Sequence, residues 1–244
     1  MEWSGEASVM QARRHGENAV ILTAFARDIG LISGILPGGA SAKRAAMIQR
    51  GTVVALRWRA RIEGQLGTFS AEPARARSGL LADALALDGV NAVTALVVFA
   101  LPEHDPHPRL HEATEQLLDL MDQGVPAGES GWSHAYLAWE LRLLDELGFG
   151  LDLTACAVTG RRDGLAFVSP RTGRAVSREG AGEWADRLLP LPSLLGGTGN
   201  GGMRDAFTLT GHFLRARMAE EHAGKSLPPA RDRLIARLLQ RESD

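Results

Sequence analysis

The only cysteine in the 244-residue chain, Cys156, opens the short run CAVT. Thiolate sulfur is a strong zinc donor, and a structural zinc ribbon typically uses two C-x-x-C pairs about 15–20 residues apart. Cys156 and Thr159 fill one such frame with its second cysteine missing; Ser177 and Gly180 fill another with neither present. A second group, EHDPHPRLH, gathers His104, Asp105, His107 and His111, residue types that hold metals or move protons. Prolines punctuate it, so a loop leading into a helix explains it as well. A third, GTGNGG, places Gly197, Gly199 and Gly202 in a formal G-x-G-x-x-G. The dinucleotide fingerprint needs a preceding strand, whereas the run before it is LLPLPSLLG, which reads as loop. Neither a Walker A lysine nor a G-x-S-x-G elbow appears. The fourth chemistry is phosphate binding. Arg57, Arg59 and Arg61 alternate with Leu56, Trp58, Ala60 and Ile62, so on a strand the guanidinium groups share one face at steps of about 6.8 Å.

Elements must place these groups. SVMQARR and NAVILTAF are alternating, β-branched runs separated by the turn-prone HGEN, followed by GLISGIL, the breaker PGGASAKR, TVVALRWRARI, and QLGTFSAE ending at Pro73. Five strands with a glycine-rich loop after the third fit a small barrel of the OB type. Beyond Pro73 the period becomes helical in LLADALALDGV, NAVTALVVFAL, ATEQLLDLMDQ and SHAYLAWELRLLDELG, with Gly148 as the C-terminal stop. The expected architecture is α+β: a five-stranded OB-fold barrel over 1–78, then a mostly helical domain over 79–244 interrupted at about 150–182.

Charge segregates along the chain. Residues 1–80 carry 11 Lys/Arg against 6 Asp/Glu, residues 81–150 carry 2 against 12, and the remainder 14 against 11. That pattern implies either different partners for the blocks or contact between them. Arg13, Arg14, Lys43, Arg44 and Arg50 extend the Arg57–Arg61 face into a groove suited to a phosphate backbone, the bland alternative being solvated arginine paired with Glu63 and Glu72. Aromatic residues make up 5% of the chain, so backbone electrostatics rather than base stacking would dominate. No apolar run of about 18 residues and no basic leader are seen, and one cysteine suits a reducing compartment; a cytoplasmic location with no membrane contact follows as expectation.

The C-terminal run PPARDRLIARLLQR starts on prolines and spaces Leu234, Ile235, Leu238 and Leu239 along one stripe, leaving Arg231, Arg233, Arg237 and Arg241 on the remaining positions. With Arg215 and Arg217 from LTGHFLRARM they make a candidate second basic surface for an acidic partner, or simply a solvated helix face.

QARRHGENAVILTAFARDIG, the PGGASAKR loop and VALRWRARIEGQLG resemble the N-terminal OB domain of the RecO family of bacterial recombination mediators. AYLAWELRLLDELGFGLDLTACAVTG, LAFVSPRTGRAVS, FTLTGHFLRARM and KSLPPARDRLI continue the resemblance in order over nearly the whole chain. It implies that Cys156, Thr159, Ser177 and Gly180 occupy the four ligand positions of a zinc element from which the metal has been lost. Leu165, Phe167, Ala175 and Val176 then hold the hairpin by packing, with Cys156 a small buried apolar residue. It also implies a cofactor-free, non-catalytic mediator that binds single- and double-stranded DNA, anneals complementary strands and helps load RecA on DNA coated by the single-stranded-DNA-binding protein SSB. RecR and the SSB C-terminal tail are implied partners, RecF and RecA indirect ones, and the nucleoid the implied location. The competing reading is a small enzyme assembled from His104, Asp105, His107 and the 197–202 glycines.

Overall fold

The computed structural model describes residues 1–61, 66–127, 131–216, 218 and 224–241. Five strands, β1 (Glu2–His15), β2 (Ala19–Ala26), β3 (Gly30–Pro37), β4 (Val53–Arg59) and β5 (Gly67–Arg75), close into a barrel in the order β1-β2-β3-β5-β4. The residues 16–18 that join β1 to β2 begin at Gly16, whose φ of 64° suits glycine. The parallel β3–β5 seam aligns Gly34 with Gly67. A Cβ on Gly67 would lie 2.1 Å from Trp58 Nε1, so only glycine lets the strands meet over that indole. Inward residues Val54, Leu56 and Trp58 are buried against Val9, Leu22, Ile32, Leu36 and Phe69. Trp58 satisfies its buried Nε1–H on the Ser33 carbonyl at 3.0 Å.

The expected strands differ in detail from those observed. The breaker after β3 contains a short helix, α1 (Ala42–Ala45), entered at Ser41. Strand β5 does not stop at Pro73 but runs to Arg75, with a register shift opposite Val53/Val54 that accommodates a residue lacking an N–H.

LLADALALDGV and NAVTALVVFAL join into one helix, α2 (Ala84–Ala100), capped by Asp83, whose carboxylate accepts from the Ala86 N–H at 2.9 Å. Gly89 is tolerated mid-helix because Met121 and the Trp132 ring press against it; a Cβ would meet Met121 Cε at 2.8 Å. Helix α3 (Pro108–Asp122) carries Glu112, Glu115, Asp119 and Asp122 at three- and four-residue spacing, hence on one face. That face meets the basic end of the barrel. Glu112 pairs with Arg27 at 3.0 Å; Glu115 and Asp119 both pair with Arg75 and with the fully buried Arg77; Asp122 accepts from the Gly79 N–H. Ser8 donates its hydroxyl to Glu115, and Arg77 also reaches the Gly51 carbonyl at 2.6 Å. Part of the charge segregation is therefore contact between blocks.

The chain divides into two compact units, 1–132 with 228–234, and 133–227 with 235–244. The second contains most of α4 (Trp132–Glu146), whose exit is closed by Gly148 at φ 79°. Its core stacks Tyr136 on Trp139 and tilts Phe207 of α6 (Met203–Phe213) against Tyr136. The buried Glu140 accepts from Thr210 at 2.6 Å. A small sheet of β6 (Leu165–Val168), β7 (Ala175–Ser177) and β8 (Leu189–Pro190) has β6 in the middle, with a one-turn helix α5 (Arg178–Ala181) after β7. Leu165, Ala175 and Val176 are buried and Phe167 half-buried. The last helix, α7, covers Pro229–Arg241.

Candidate nucleic-acid interface

Alternation along β4 sends Arg57 and Arg59 outward while Leu56 and Trp58 point in. Strand β4 ends at Arg59, so Arg61 lies just past it, exposed; Ile62 and Glu63 fall outside the described residues. Arg59 pairs with Glu2, its cross-strand neighbour on β1, at 3.0 Å. Both partners are largely exposed, so the pair is worth roughly 0–1 kcal/mol and a phosphate can displace it. Arg57 stands between Ser4 and Ser70, two hydroxyls that add neutral donors.

The eight barrel cations do not form one groove. A cleft of about 850 Å³ is lined by Arg57 and Arg44 together with Glu6 and Glu72. Arg44 is braced by its bond to the Pro37 carbonyl at 2.6 Å. Arg13 and Arg14 sit on the half of β1 that pairs with β2 rather than β4. Arg14 and Arg50 line a second cleft of about 410 Å³, while Lys43 is exposed on α1. Arg50 is turned toward α2, 3.4 Å from Asn91 Oδ1 and Thr94 Oγ1. It does not continue the β4 face.

The tail also departs from expectation. Arg231 is buried, its side chain 2% exposed, with Asp232 3.7 Å away. Position 231 is three before Leu234 and seven before Leu238, which puts it on the buried stripe rather than on the basic surface. Arg233, Arg237 and Arg241 are exposed, as is Arg215, which donates to the Gly211 carbonyl; Arg217 lies outside the described residues.

The four positions of the two incomplete C-x-x-C frames come together. Cys156 Sγ accepts from Ser177 N at 3.2 Å, Ser177 Oγ at 3.3 Å and Thr159 N at 3.4 Å, and a Cβ on Gly180 would lie 2.9 Å from the sulfur. Burial pushes the thiol up, but the Ser177 and Thr159 hydrogen bonds outweigh it and bring it down to about 6. The sulfur is thus a hydrogen-bond acceptor with thiolate character, more than the apolar filler expected of it. The cluster does not fit zinc: it offers one sulfur, a hydroxyl already donated to that sulfur, a backbone N–H and a glycine. Among the described residues no group of three or more His, Cys, Asp or Glu could hold a metal ion.

His104 has another task. With φ 61° it donates its N–H to the Leu31 carbonyl at 2.9 Å and lays its ring 5.1 Å from that of Trp58, closing one end of the barrel. His107 sits 3.5 Å from Asp105 at the start of α3. His111 packs edge-on to Phe25. The 197–202 glycines follow a 3-10 turn (Ser193–Leu195), not a strand, and Gly197 lies against the Leu191 carbonyl. Sequence reasoning passes over Arg75 and Arg77; the three- and four-residue spacing of the α3 carboxylates is the signal that they need partners.

A closed five-stranded barrel with arginines on its outer wall, continued by a helical region, is the layout of an OB-fold protein. Residues 1–77 match the family described as "Recombination protein O N terminal" and residues 81–226 the one described as "Recombination protein O C terminal". The chain belongs to the RecO family of DNA repair proteins. DNA repair protein RecO of Paracoccus denitrificans is 72% identical over 238 residues, covering 98% of this chain and 96% of that protein. RecO proteins of Cereibacter sphaeroides and Roseobacter denitrificans are each 48% identical, over 96% of this chain and 97% of theirs. No helix among the described residues is long and apolar enough to cross a membrane.

Proposed function

We propose that this chain is a non-catalytic recombination mediator. The barrel, taken as a domain over 1–78, binds single-stranded DNA by its phosphates, and the helical domain over 79–244 assists in annealing complementary strands and in loading RecA on SSB-coated DNA. The observation that carries this is the outer face of β4, from which Arg57 and Arg59 project, with Arg57 and Arg44 lining an open cleft, on a barrel type that commonly binds oligonucleotides. Holding two strands by their backbones lowers the repulsion that slows pairing. No step in that scheme needs a proton transfer or a covalent intermediate.

Double-stranded DNA engages the same cations, and the chain works in the cytoplasm on the nucleoid with RecR as partner. The exposed Arg215, Arg233 and Arg237 offer a second basic surface for the SSB tail. Fluorescent strand annealing tests the scheme on naked and on SSB-coated complementary strands. The protein should accelerate both, and Arg233→Glu with Arg237→Glu should slow the coated reaction more than the naked one. Equal slowing would assign those arginines to DNA, and no acceleration by the unaltered protein would end the mediator reading.

A further inference from the structure

Strand β4 lies between β1 and β5, and the three share the outer face that carries Arg57. Register places Glu2 beside Arg59 at one end of that face, and Glu6 and Glu72 on either side of Ala55 at the other, with the Arg57 row between them. All of these residues are exposed. Successive rows stand about 6.8 Å apart along the strands, and neighbouring strands lie about 4.8 Å apart. Charge on the face therefore changes sign along β4, and the two glutamates of the last row start about 10 Å apart across the short Ala55 side chain.

The carboxylates of this face behave differently. Glu2 takes Arg59 at 3.0 Å. Glu6 and Glu72 are the diagonal cross-strand neighbours of Arg57, a separation of about 7–8 Å that long side chains span. Among the described residues neither makes an ion pair, although Arg57 and Arg44 line the same cleft. Helix α3 shows the opposite use, since Glu112, Glu115 and Asp119 each hold an arginine. A carboxylate with no cation beside it presents its charge to whatever enters the cleft. A backbone held at Arg59 and Arg57 meets two like charges one row further on, at about 6.8 Å. That is inside the Debye length of about 8 Å at physiological salt, so the repulsion survives screening.

We infer that Glu6 and Glu72 end the phosphate track on this face: they limit how many backbone phosphates the barrel neutralises, and so keep its hold loose enough for a strand to leave once it has paired. The inference rests on the phosphate reading of β4 proposed above and names the residues that set its reach. Arg57 and Arg59 attract the backbone and the glutamate row repels it. The balance fixes the number of phosphates engaged and is blind to base sequence. A strand bound across the whole face would release counterions at every row and dissociate slowly; one stopped at Arg57 dissociates faster.

Glu6→Gln combined with Glu72→Gln keeps side-chain size and removes both charges. The readout is fluorescence anisotropy of labelled oligothymidine over a salt series. The double variant should bind about tenfold more tightly than the unaltered protein, and each single substitution about threefold. The log–log salt slope should steepen by about 0.7 for each phosphate newly engaged, and the complex should dissociate more slowly when chased with unlabelled strand. Glu17→Gln with Glu103→Gln makes the same change in net charge at exposed positions outside this face, and should tighten binding by less than about twofold. Unchanged affinity and slope in the Glu6 and Glu72 variants, or equal tightening in the Glu17 and Glu103 variant, overturns the inference. Arg57→Ala separates this inference from the reading beneath it. If that variant binds more weakly while the glutamine variants match the unaltered protein, the track stands and its acidic end does not. If Arg57→Ala leaves binding unchanged, the phosphate reading falls and this inference with it.

Discussion

Arg57 and Arg77 belong to the same barrel end of the sequence and carry the same group, yet the structure uses them in opposite ways. Arg77 has no exposed side-chain surface and is enclosed by Glu115, Asp119 and the Gly51 carbonyl; Arg57 projects from β4 into an open cleft between two serines. A buried guanidinium persists only where carboxylates and carbonyls replace its water, so Arg77 is committed to holding α3 on the barrel. An exposed one keeps its hydration and can exchange it for a ligand's phosphate. Arginine in a sequence is thus a structural or a binding residue according to whether acidic residues are positioned to consume it.

The widest gap between the two should appear on truncation. Arg77→Ala removes the buried partner of Glu115 and Asp119, leaves them only the half-exposed Arg75, and should cost about 3 kcal/mol in denaturant unfolding. Arg57→Ala should stay within about 0.5 kcal/mol. Equal costs would erase the distinction. The network around Arg77 also sets an acid limb. Burial pushes the Asp119 carboxyl up, but the hydrogen bonds and charges of Arg75 and Arg77 outweigh that and hold it below the usual range. A depressed carboxyl contributes stability that is present above its unfolded pKa of about 4 and is lost as pH falls through its lower folded value. Unfolding free energy should therefore drop below about pH 4 in the native protein and drop less in Arg77→Ala.

Trp58 provides the apolar counterpart on the same strand as Arg57. At 2% exposure, Trp58→Ala should cost about 3–5 kcal/mol and should weaken DNA binding only through unfolding. A stable variant with weakened binding would place the indole at the DNA instead.

A smaller effect belongs to Cys156. Cys156→Ser should cost about 1 kcal/mol, and chelator should leave the melting temperature unchanged, with elemental analysis finding well below one zinc per chain. The depressed thiol contributes stability that is present above its ordinary value of 9.0 and is lost as pH falls through about 6. The gap between native and variant should narrow from pH 9 to pH 6, as thermal melts at the two limits would show. A gap independent of pH, or a stoichiometric metal, would contradict the cluster's description.

How much of this is legible in the sequence differs by region. The barrel is, because β4 alternates with period two and its neighbours are bounded by glycine and proline turns. The convergence of Cys156, Thr159, Ser177 and Gly180 follows from their spacing and from family resemblance. The thiol's hydrogen bonds do not, because backbone N–H groups of Thr159 and Ser177 leave no mark in residue type. Arg231 misleads because a charged residue on an apolar stripe looks like an interruption of the stripe, whereas its position three before Leu234 turns it inward. Arg50 misleads because nothing in its own strand-flanking segment shows that α2 will bring Asn91 and Thr94 to it.

Whether the β4 face holds DNA by its phosphates is decided by the salt dependence of single-stranded DNA affinity in the Arg57→Ala, Arg59→Ala, Arg61→Ala triple variant. Affinity should fall for all base sequences alike, and the log–log slope should become shallower by about 0.7 for each phosphate no longer neutralised. An unchanged slope, or a loss that depends on base sequence, would contradict phosphate holding at this face.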